Sequence, residues 1–427
     1  MEGCSNLLVR VIASPSMLPR RKFMARGLAA LTAGGMGACR SATPGPTSPS
    51  GPEDPSWAEV RACFLKLDSV TFLNNASQGM PPGVVLESVK EGFSRLSEDP
   101  LGAKHDLQEV IRTRSIPGLA RLLGADPDEL FLARNATEPL HLQAVGLELE
   151  AGDEVLITSQ EHPAGRNPWL YRAAREGIAV REVFVPSPFA DPGEVVERIG
   201  SAMTPRTRAI AFCHVTRGGH LYPVKELCAM ARERGVVSVV DGAQAVGMFG
   251  VDLHDLGCDA YAASLHKWLL GPMGTGVGYV RRESRGRWLS SFDADARAGG
   301  PGYAPAGTVD LPLRAALASA VDFMERIGLE AVADRDRHLS NHLKAGLSGL
   351  PSARLVSGPT RETSAPGSTI FVLEGVDPIE AVAALDARGL HIDEHARDGH
   401  PALRISTHFY NTTEELDRVL EALRGLA

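Results

Sequence analysis

Residues 239–281, VVDGAQAVGMFGVDLHDLGCDAYAASLHKWLLGPMGTGVGYVR, decide how the chain is read. The run Val236–Val240 is β-branched apart from Ser238, which predicts a buried strand, and Asp241 follows it directly. In an open α/β sheet ligands bind at the carboxyl ends of strands, and a carboxylate placed there wants a cationic partner. After the next predicted strand, Asp259–Ala263, the residues Ser264-Leu265-His266-Lys267 lead into a glycine-rich turn from Gly271 to Gly278. A lysine at the end of a buried strand is suited to imine formation, because desolvation favours its neutral, nucleophilic form. Ser264 and His266 can donate hydrogen bonds to a phosphate beside it. The set matches what pyridoxal 5'-phosphate requires: a lysine for the Schiff base, an aspartate to hold the pyridine nitrogen protonated, and donors for the phosphate. The glycine turn lacks the G-x-x-x-x-G-K-[ST] spacing of a nucleotide loop, and it follows rather than precedes the lysine.

From about residue 70 the chain alternates short β-branched runs with helical patterns, which predicts a mainly parallel sheet with helices on both faces. Further strands are expected at Glu129–Ala133, Glu154–Thr158, Arg208–His214 and Gly276–Val280, with helices such as Glu138–Leu149 and Val224–Arg234 between them. Past a Gly/Pro/Ala-rich stretch near 294–307 the pattern changes. A long helical region, Leu311–Leu347, leads to strands near Ser368–Leu373 and Ala402–Thr407 and helices at Pro378–Arg388 and Thr413–Leu426. The expected organisation is a large cofactor domain over 57–305 and a smaller C-terminal α+β domain over 306–427.

With these residues in place, the sequence resembles the class V aminotransferase family, fold-type I enzymes that include cysteine desulfurases and isopenicillin N epimerases. The resemblance runs from about Phe72 to the C-terminus and implies a seven-stranded, mainly parallel sheet. Asp241-Gly242-Ala243-Gln244 is similar to the family's D-x-A-Q block, which implies Asp241 on the pyridine nitrogen and Gln244 on the ring oxygen. Ser264-Leu265-His266-Lys267 is similar to its S-x-H-K block, which makes Lys267 the Schiff-base lysine. Asn135-Ala136-Thr137-Glu138 resembles the N-x-T-E block, where Thr137 and its backbone would cradle the phosphate at a helix N-terminus. Glu161-His162 resembles the block whose histidine stacks on the cofactor ring. Gly307-Thr308 resembles the pair that reaches the phosphate of a neighbouring subunit, which implies a homodimer. Leu403-Arg404-Ile405-Ser406 followed by Tyr410-Asn411-Thr412 resembles the R-x-S…YNT ending, in which Arg404 would clamp the substrate carboxylate. Asn74-Asn75-Ala76-Ser77 resembles the N-terminal block near the substrate, with Asn75 as a contact.

Departures from the family pattern bear on the chemistry. A desulfurase needs a mobile nucleophilic cysteine shortly before the Arg404 region, and residues 391–403, HIDEHARDGHPAL, contain none. Arg217, in His214-Val215-Thr216-Arg217-Gly218-Gly219, stands where desulfurase-like members usually carry asparagine, and it is a candidate to meet the ring oxygen or a second substrate carboxylate. The late histidines His391, His395, His400 and His408 lack metal-ligand spacing and are read as surroundings of Arg404, so no metal is expected. The expected reaction starts with a substrate amine displacing Lys267, whose freed amine removes the Cα proton. Returning the proton to the opposite face gives an epimerase or racemase, delivering it to the cofactor carbon gives an aminotransferase, and losing a β or γ substituent gives a lyase, C–S or other. An exported cofactor-binding protein without catalysis is the alternative of another class.

The net charge of −8 joins two unlike parts. Residues 1–50 carry six basic residues against Glu2, a net of +5, leaving 38 basic against 51 acidic residues and a net of −13 for residues 51–427. A basic head on an acidic body argues against a nucleic-acid partner, whose footprint belongs on the folded part. Arg20-Arg21-Lys22 precede the short uncharged run Gly27–Ala38, an arrangement that resembles a twin-arginine signal over 1–40 and is complete from Met17 as well as from Met1. The expected location is periplasmic or membrane-anchored, or cytoplasmic where the signal is not used. Met36-Gly37-Ala38-Cys39 resembles a loose lipoprotein box, which makes Cys39 a candidate lipid anchor, and the five prolines of residues 41–56 read as a tether. The remaining cysteines, Cys63, Cys213, Cys228 and Cys258, have neither zinc-site nor disulfide-scaffold spacing.

Overall fold

The computed structural model describes residues 49–426 except 52, 55, 66–69, 291, 293–299, 305–306 and 396–399. The expected signal with Arg20, Arg21 and Cys39 lies outside these residues. The end of the expected tether is folded: Trp57 Nε1 donates to Gly51 O at 2.8 Å, in front of helix α1 (Ser56–Ala62). A short strand β1 (Thr71–Phe72) precedes helices α2 (Gly83–Glu98), α3 (Pro100–Val110) and α4 (Ile116–Leu122).

The alternating part follows: β2 (Leu130–Ala133), α5 (Thr137–Gly146), β3 (Glu154–Thr158), α6 (Pro163–Glu176), β4 (Ala179–Val183), α7 (Pro192–Ala202), β5 (Thr207–Cys213), α8 (Val224–Glu233), β6 (Val237–Asp241), α9 (Leu253–Leu256), β7 (Ala260–Ser264) and β8 (Gly276–Val280). These seven strands form one sheet in the order β2-β8-β7-β6-β5-β3-β4, all parallel except β8. Runs such as Glu154–Thr158 and Val237–Asp241 are buried along their whole length, as a sheet covered on both faces requires. The seventh strand, β4, is not among the sequence-predicted strands. It is the edge strand, its Arg181 and Glu182 face water, and its apolar pattern is correspondingly thin.

Register brings the strand ends into one row. Cys213 pairs with Asp241 across β5 and β6, Asp241 with Ala262 across β6 and β7, and Ser264 with Gly276 across β7 and β8. Because β8 runs antiparallel, its first residue, Gly276, meets Ser264 on one side and Ala133 of β2 on the other.

The C-terminal part comprises α10 (Leu311–Ile327), α11 (Leu329–Ser348), β9 (Ala353–Leu355), β10 (Ser368–Leu373), α12 (Pro378–Asp386), β11 (Leu390–His391), β12 (Asp393–His395), β13 (Ala402–Ser406) and α13 (Thr413–Arg424). The expected single helical region Leu311–Leu347 is two helices, interrupted at Gly328, whose φ of 90° lies outside the helical range. Helix α10 packs against α2, and its Leu317, Val321 and Met324 join the core of the large sheet. Strands β12-β13-β10-β9 form an antiparallel sheet with a separate core that includes Leu339, Leu343, Phe371, Leu403, Leu416 and Leu420. Strand β1 pairs with β11, and Asn74 bridges to Ser406, which ties the N-terminal segment to this second sheet. Cys63, Cys213, Cys228 and Cys258 are free thiols. Among the described residues no helix is long and apolar enough to cross a membrane.

Candidate active site

At the row of strand ends lies a cavity of about 440 Å³ counting its open mouth, lined by Ala136, Thr137, His162, Ala164, Cys213, Val215, Arg217, Asp241, Ala243, Gln244, Ser264 and Lys267. Eight of the fourteen sequence-predicted site residues are in this lining: Ala136, Thr137, His162, Arg217, Asp241, Gln244, Ser264 and Lys267.

Lys267 follows β7 by three residues, in the turn that Ser264 opens. Burial pushes its ammonium down to about 8, opposed by the negative charge of Asp241 and assisted by the positive charges of Arg404 and Arg217. Segment 74–79 lies against this turn. Gly79 N donates to His266 O at 2.9 Å, and a Cβ at Gly79 would meet Lys267 O at 2.0 Å, so only glycine allows the approach.

Asp241 is buried at the end of β6. Burial raises its carboxyl, while the Ala243 N–H at 2.9 Å and the charge of Lys267 draw it down. Gly242 has no room for a side chain, because a Cβ there would fall on the Tyr261 ring at 2.0 Å. Gln244 is fixed at both ends of its amide: Nε2 donates to Ala76 O at 3.0 Å and Oε1 accepts from Trp268 Nε1 at 2.8 Å. One amide hydrogen is left for a ligand.

The N-terminus of α5 faces Ser264. Ala136 N donates to Ser264 Oγ at 3.0 Å, which leaves the hydroxyl proton of Ser264 for another acceptor. Asn135 lies just outside the lining and serves as a cap, its Oδ1 accepting from Glu138 N at 3.2 Å. Its backbone packs on Gly276, where a Cβ would stand 2.6 Å away. His266 also lies outside the lining, its Nδ1 directed to Thr275 O at 3.0 Å. His162 opens α6; its Nδ1 accepts from Ala164 N at 3.0 Å, so the neutral ring carries its proton on Nε2.

The three predicted substrate contacts are Asn75 and Arg404, outside the lining, and Arg217 within it. Asn75 is fully buried, with Oδ1 accepting from Tyr410 Oη at 2.8 Å and Nδ2 without a partner among the described residues. Arg404, on β13, donates to Asn74 Oδ1 at 3.2 Å and is paired with Asp393 on β12. Arg217 donates to Glu394 O at 3.2 Å and lies 3.7 Å from Asp393 Oδ2. Gly307 and Thr308 are exposed and away from this cavity; they line a groove of about 1260 Å³, counting its open mouth, with Phe93, Leu96 and Lys104.

Two of the late histidines have partners other than Arg404: His391 pairs with Asp386 at 2.9 Å on the surface, and His408 is buried between Asp336 and the carbonyl of Trp268. His395 lies on β12, which pairs with the strand of Arg404.

Sequence reasoning gave Glu161 no task of its own and overlooked Cys213 and Asp393. Glu161 Oε1 accepts from Thr158 Oγ1 at 2.5 Å and from Cys213 N at 3.2 Å. Burial, joined by the nearby charge of Asp241, pushes its carboxyl up to about 8. Burial and both carboxylates push the Cys213 thiol well above its ordinary value, so it stays protonated. The signal for Asp393 lay in strand pairing, since it sits directly opposite Arg404 in the β12–β13 ladder.

A mainly parallel seven-stranded sheet carrying an aspartate and a lysine at adjacent strand ends, with a smaller antiparallel sheet behind it, is the fold-type I architecture. Comparison with known proteins agrees. The aminotransferase class-V family matches residues 71–419, and the chain belongs to that family. It is 33% identical to an isopenicillin N epimerase of Streptomyces clavuligerus over 87% of this chain and 98% of that protein. It is 30% identical to a probable cysteine desulfurase of Xylella fastidiosa (strain 9a5c) over 88% and 97%. Among solved structures, a mutant of C-DES with glycine covalently linked to its PLP cofactor superimposes with a TM-score of 0.79 at 26% identity, covering 86% of this chain and 99% of that one. C-DES, described as a cystine C–S lyase, is also similar in complex with its product cysteine persulfide, with a TM-score of 0.78, 26% identity and coverage of 85% and 100%.

Proposed function

We propose that this chain is a pyridoxal 5'-phosphate enzyme acting at the Cα of an amino-acid substrate, and that its reaction is of the epimerase type. The observation that carries the reading is the pairing of Lys267, its amine depressed to about 8, with the buried carboxylate of Asp241 in one cavity. The residues present fit the cofactor. Asp241 suits a pyridinium nitrogen, the spare amide hydrogen of Gln244 suits a ring oxygen, and the Ser264 hydroxyl with the N-terminus of α5 suits a phosphate. The orphaned Asn75 Nδ2 points to a polar ligand that completes the site.

When bound, the cofactor supplies an electron sink for negative charge at Cα. Lys267 near neutrality is a base matched to removing the Cα proton, and inversion follows when a proton is returned to the opposite face of Cα. Asp241, kept from water, would hold a proton on the pyridine nitrogen, and Arg404 would orient the substrate through its carboxylate. Sulfur transfer is disfavoured by the site's own thiol: Cys213 lies at a strand end, bonded to Glu161 and held protonated. A relative described as an isopenicillin N epimerase supports the same direction.

Gly307 and Thr308 stand outside their own cavity, and this reading gives them to the phosphate of a second copy in a homodimer. Export through Arg20-Arg21, with Cys39 as a lipid site, is proposed from sequence alone.

The test is incubation of the holoprotein with amino acids in heavy water. Exchange at Cα with inversion and no net consumption is expected. Keto-acid formation would make it an aminotransferase, and release of a β-substituent a lyase. No exchange with any amine would leave a binding protein and defeat the reading.

A further inference from the structure

Two guanidinium groups converge on one carboxylate beside the cavity. Asp393 Oδ2 accepts from Arg404 Nη2 and lies 3.7 Å from Arg217 Nη2. Arg217 lines the cavity together with Lys267, and the positive charge of Arg404, just behind the lining, also bears on the Lys267 amine. Among the described contacts, Arg404 also donates to the amide oxygen of Asn74, and Arg217 to the Glu394 carbonyl, with the Glu394 carboxylate 3.8 Å away. The Arg404 side chain is 4% exposed and cannot turn to water, whereas that of Asp393 is 24% exposed and can. A buried guanidinium that loses its carboxylate is costly unless another anion takes its place.

We propose that Asp393 holds the place of a ligand carboxylate between Arg404 and Arg217, and that the substrate displacing it is an amino dicarboxylic acid. Its α-carboxylate goes to Arg404 and its side-chain carboxylate to Arg217. A monocarboxylate that displaced Asp393 would supply one anion to two cations, whereas a dicarboxylate supplies one to each. The proposal deepens the reading of the site as a Cα enzyme and rests on it for the position of the substrate.

Calorimetric titration of the holoprotein with unreactive probes tests it without turnover. Succinate, glutarate and adipate are compared with pentanoate, which carries one carboxylate. The best dicarboxylate is expected to bind about tenfold more tightly or better, the gain of one additional charge-assisted contact. Arg217→Gln should abolish that preference while leaving pentanoate binding in place, and Arg217→Lys should keep part of it, which separates recognition from misfolding. Asp393→Asn should tighten every carboxylate by removing the internal competitor. Equal binding of dicarboxylates and pentanoate by the wild type, or a preference that survives Arg217→Gln, overturns the proposal. If Cα exchange persists while the preference is absent, the dicarboxylate inference fails alone; if exchange is absent, the functional reading fails separately.

Discussion

Glu161→Gln offers a quantitative check on the electrostatics behind the cavity. The Glu161 carboxyl rises from 4.5 to about 8 on folding, because it is buried beside Asp241. Between those values the folded protein keeps a proton that the unfolded chain releases, so this residue makes stability fall as pH rises. The slope is about 1.4 kcal/mol per pH unit, and the whole interval amounts to at most about 5 kcal/mol. Glutamine keeps an oxygen to accept from Thr158 Oγ1 and Cys213 N but cannot ionise. Urea unfolding of cofactor-free wild type and variant at about pH 5.5 and about pH 7.5 isolates the effect, since the other titrating groups are common to both. The variant's stability relative to wild type should improve by about 2 to 3 kcal/mol between the two pH values. A difference that does not change with pH would refute the assignment of a buried, proton-retaining carboxyl to Glu161.

One further outcome follows from the structure and one from the sequence. Gly276→Ala places a Cβ 2.6 Å from the Asn135 backbone, so it should cost about 1 to 3 kcal/mol of stability by thermal unfolding. It should also weaken cofactor retention, because the displaced turn carries Ala136 and Thr137. Arg20→Lys together with Arg21→Lys should leave the protein in the cytoplasmic fraction, whereas the unaltered chain should be recovered from the periplasm or membrane; equal distribution would remove the export proposal.

Much of the site was legible because its parts lie in contiguous blocks. Asp241 through Gln244 and Ser264 through Lys267 are each one strand end and the turn after it, and the strands before them are nearly uninterrupted apolar runs. Strand boundaries at Glu154–Thr158, Gly276–Val280 and Ser368–Leu373 coincide with those of the fold for the same reason. What escaped depends on long-range contact. Strand β4 is an edge strand whose outward residues are polar, so it lacks the buried-strand pattern. Leu311–Leu347 reads as one helical region because a lone glycine inside a helical pattern is ordinarily tolerated, and only the φ of Gly328 shows the break. Asp393 resembles any acidic residue in a polar stretch until β12 pairs with β13, and the raised carboxyl of Glu161 arises from its burial in the fold, with the charge of Asp241 on β6 adding to it.

The central claim is that Lys267 is where pyridoxal 5'-phosphate attaches. The most direct test is to treat the holoprotein with borohydride, digest it and map the pyridoxyl-bearing peptide by mass spectrometry. The label is predicted on Lys267 alone, with none in Lys267→Ala. A label on another lysine, or undiminished labelling of Lys267→Ala, would contradict the account.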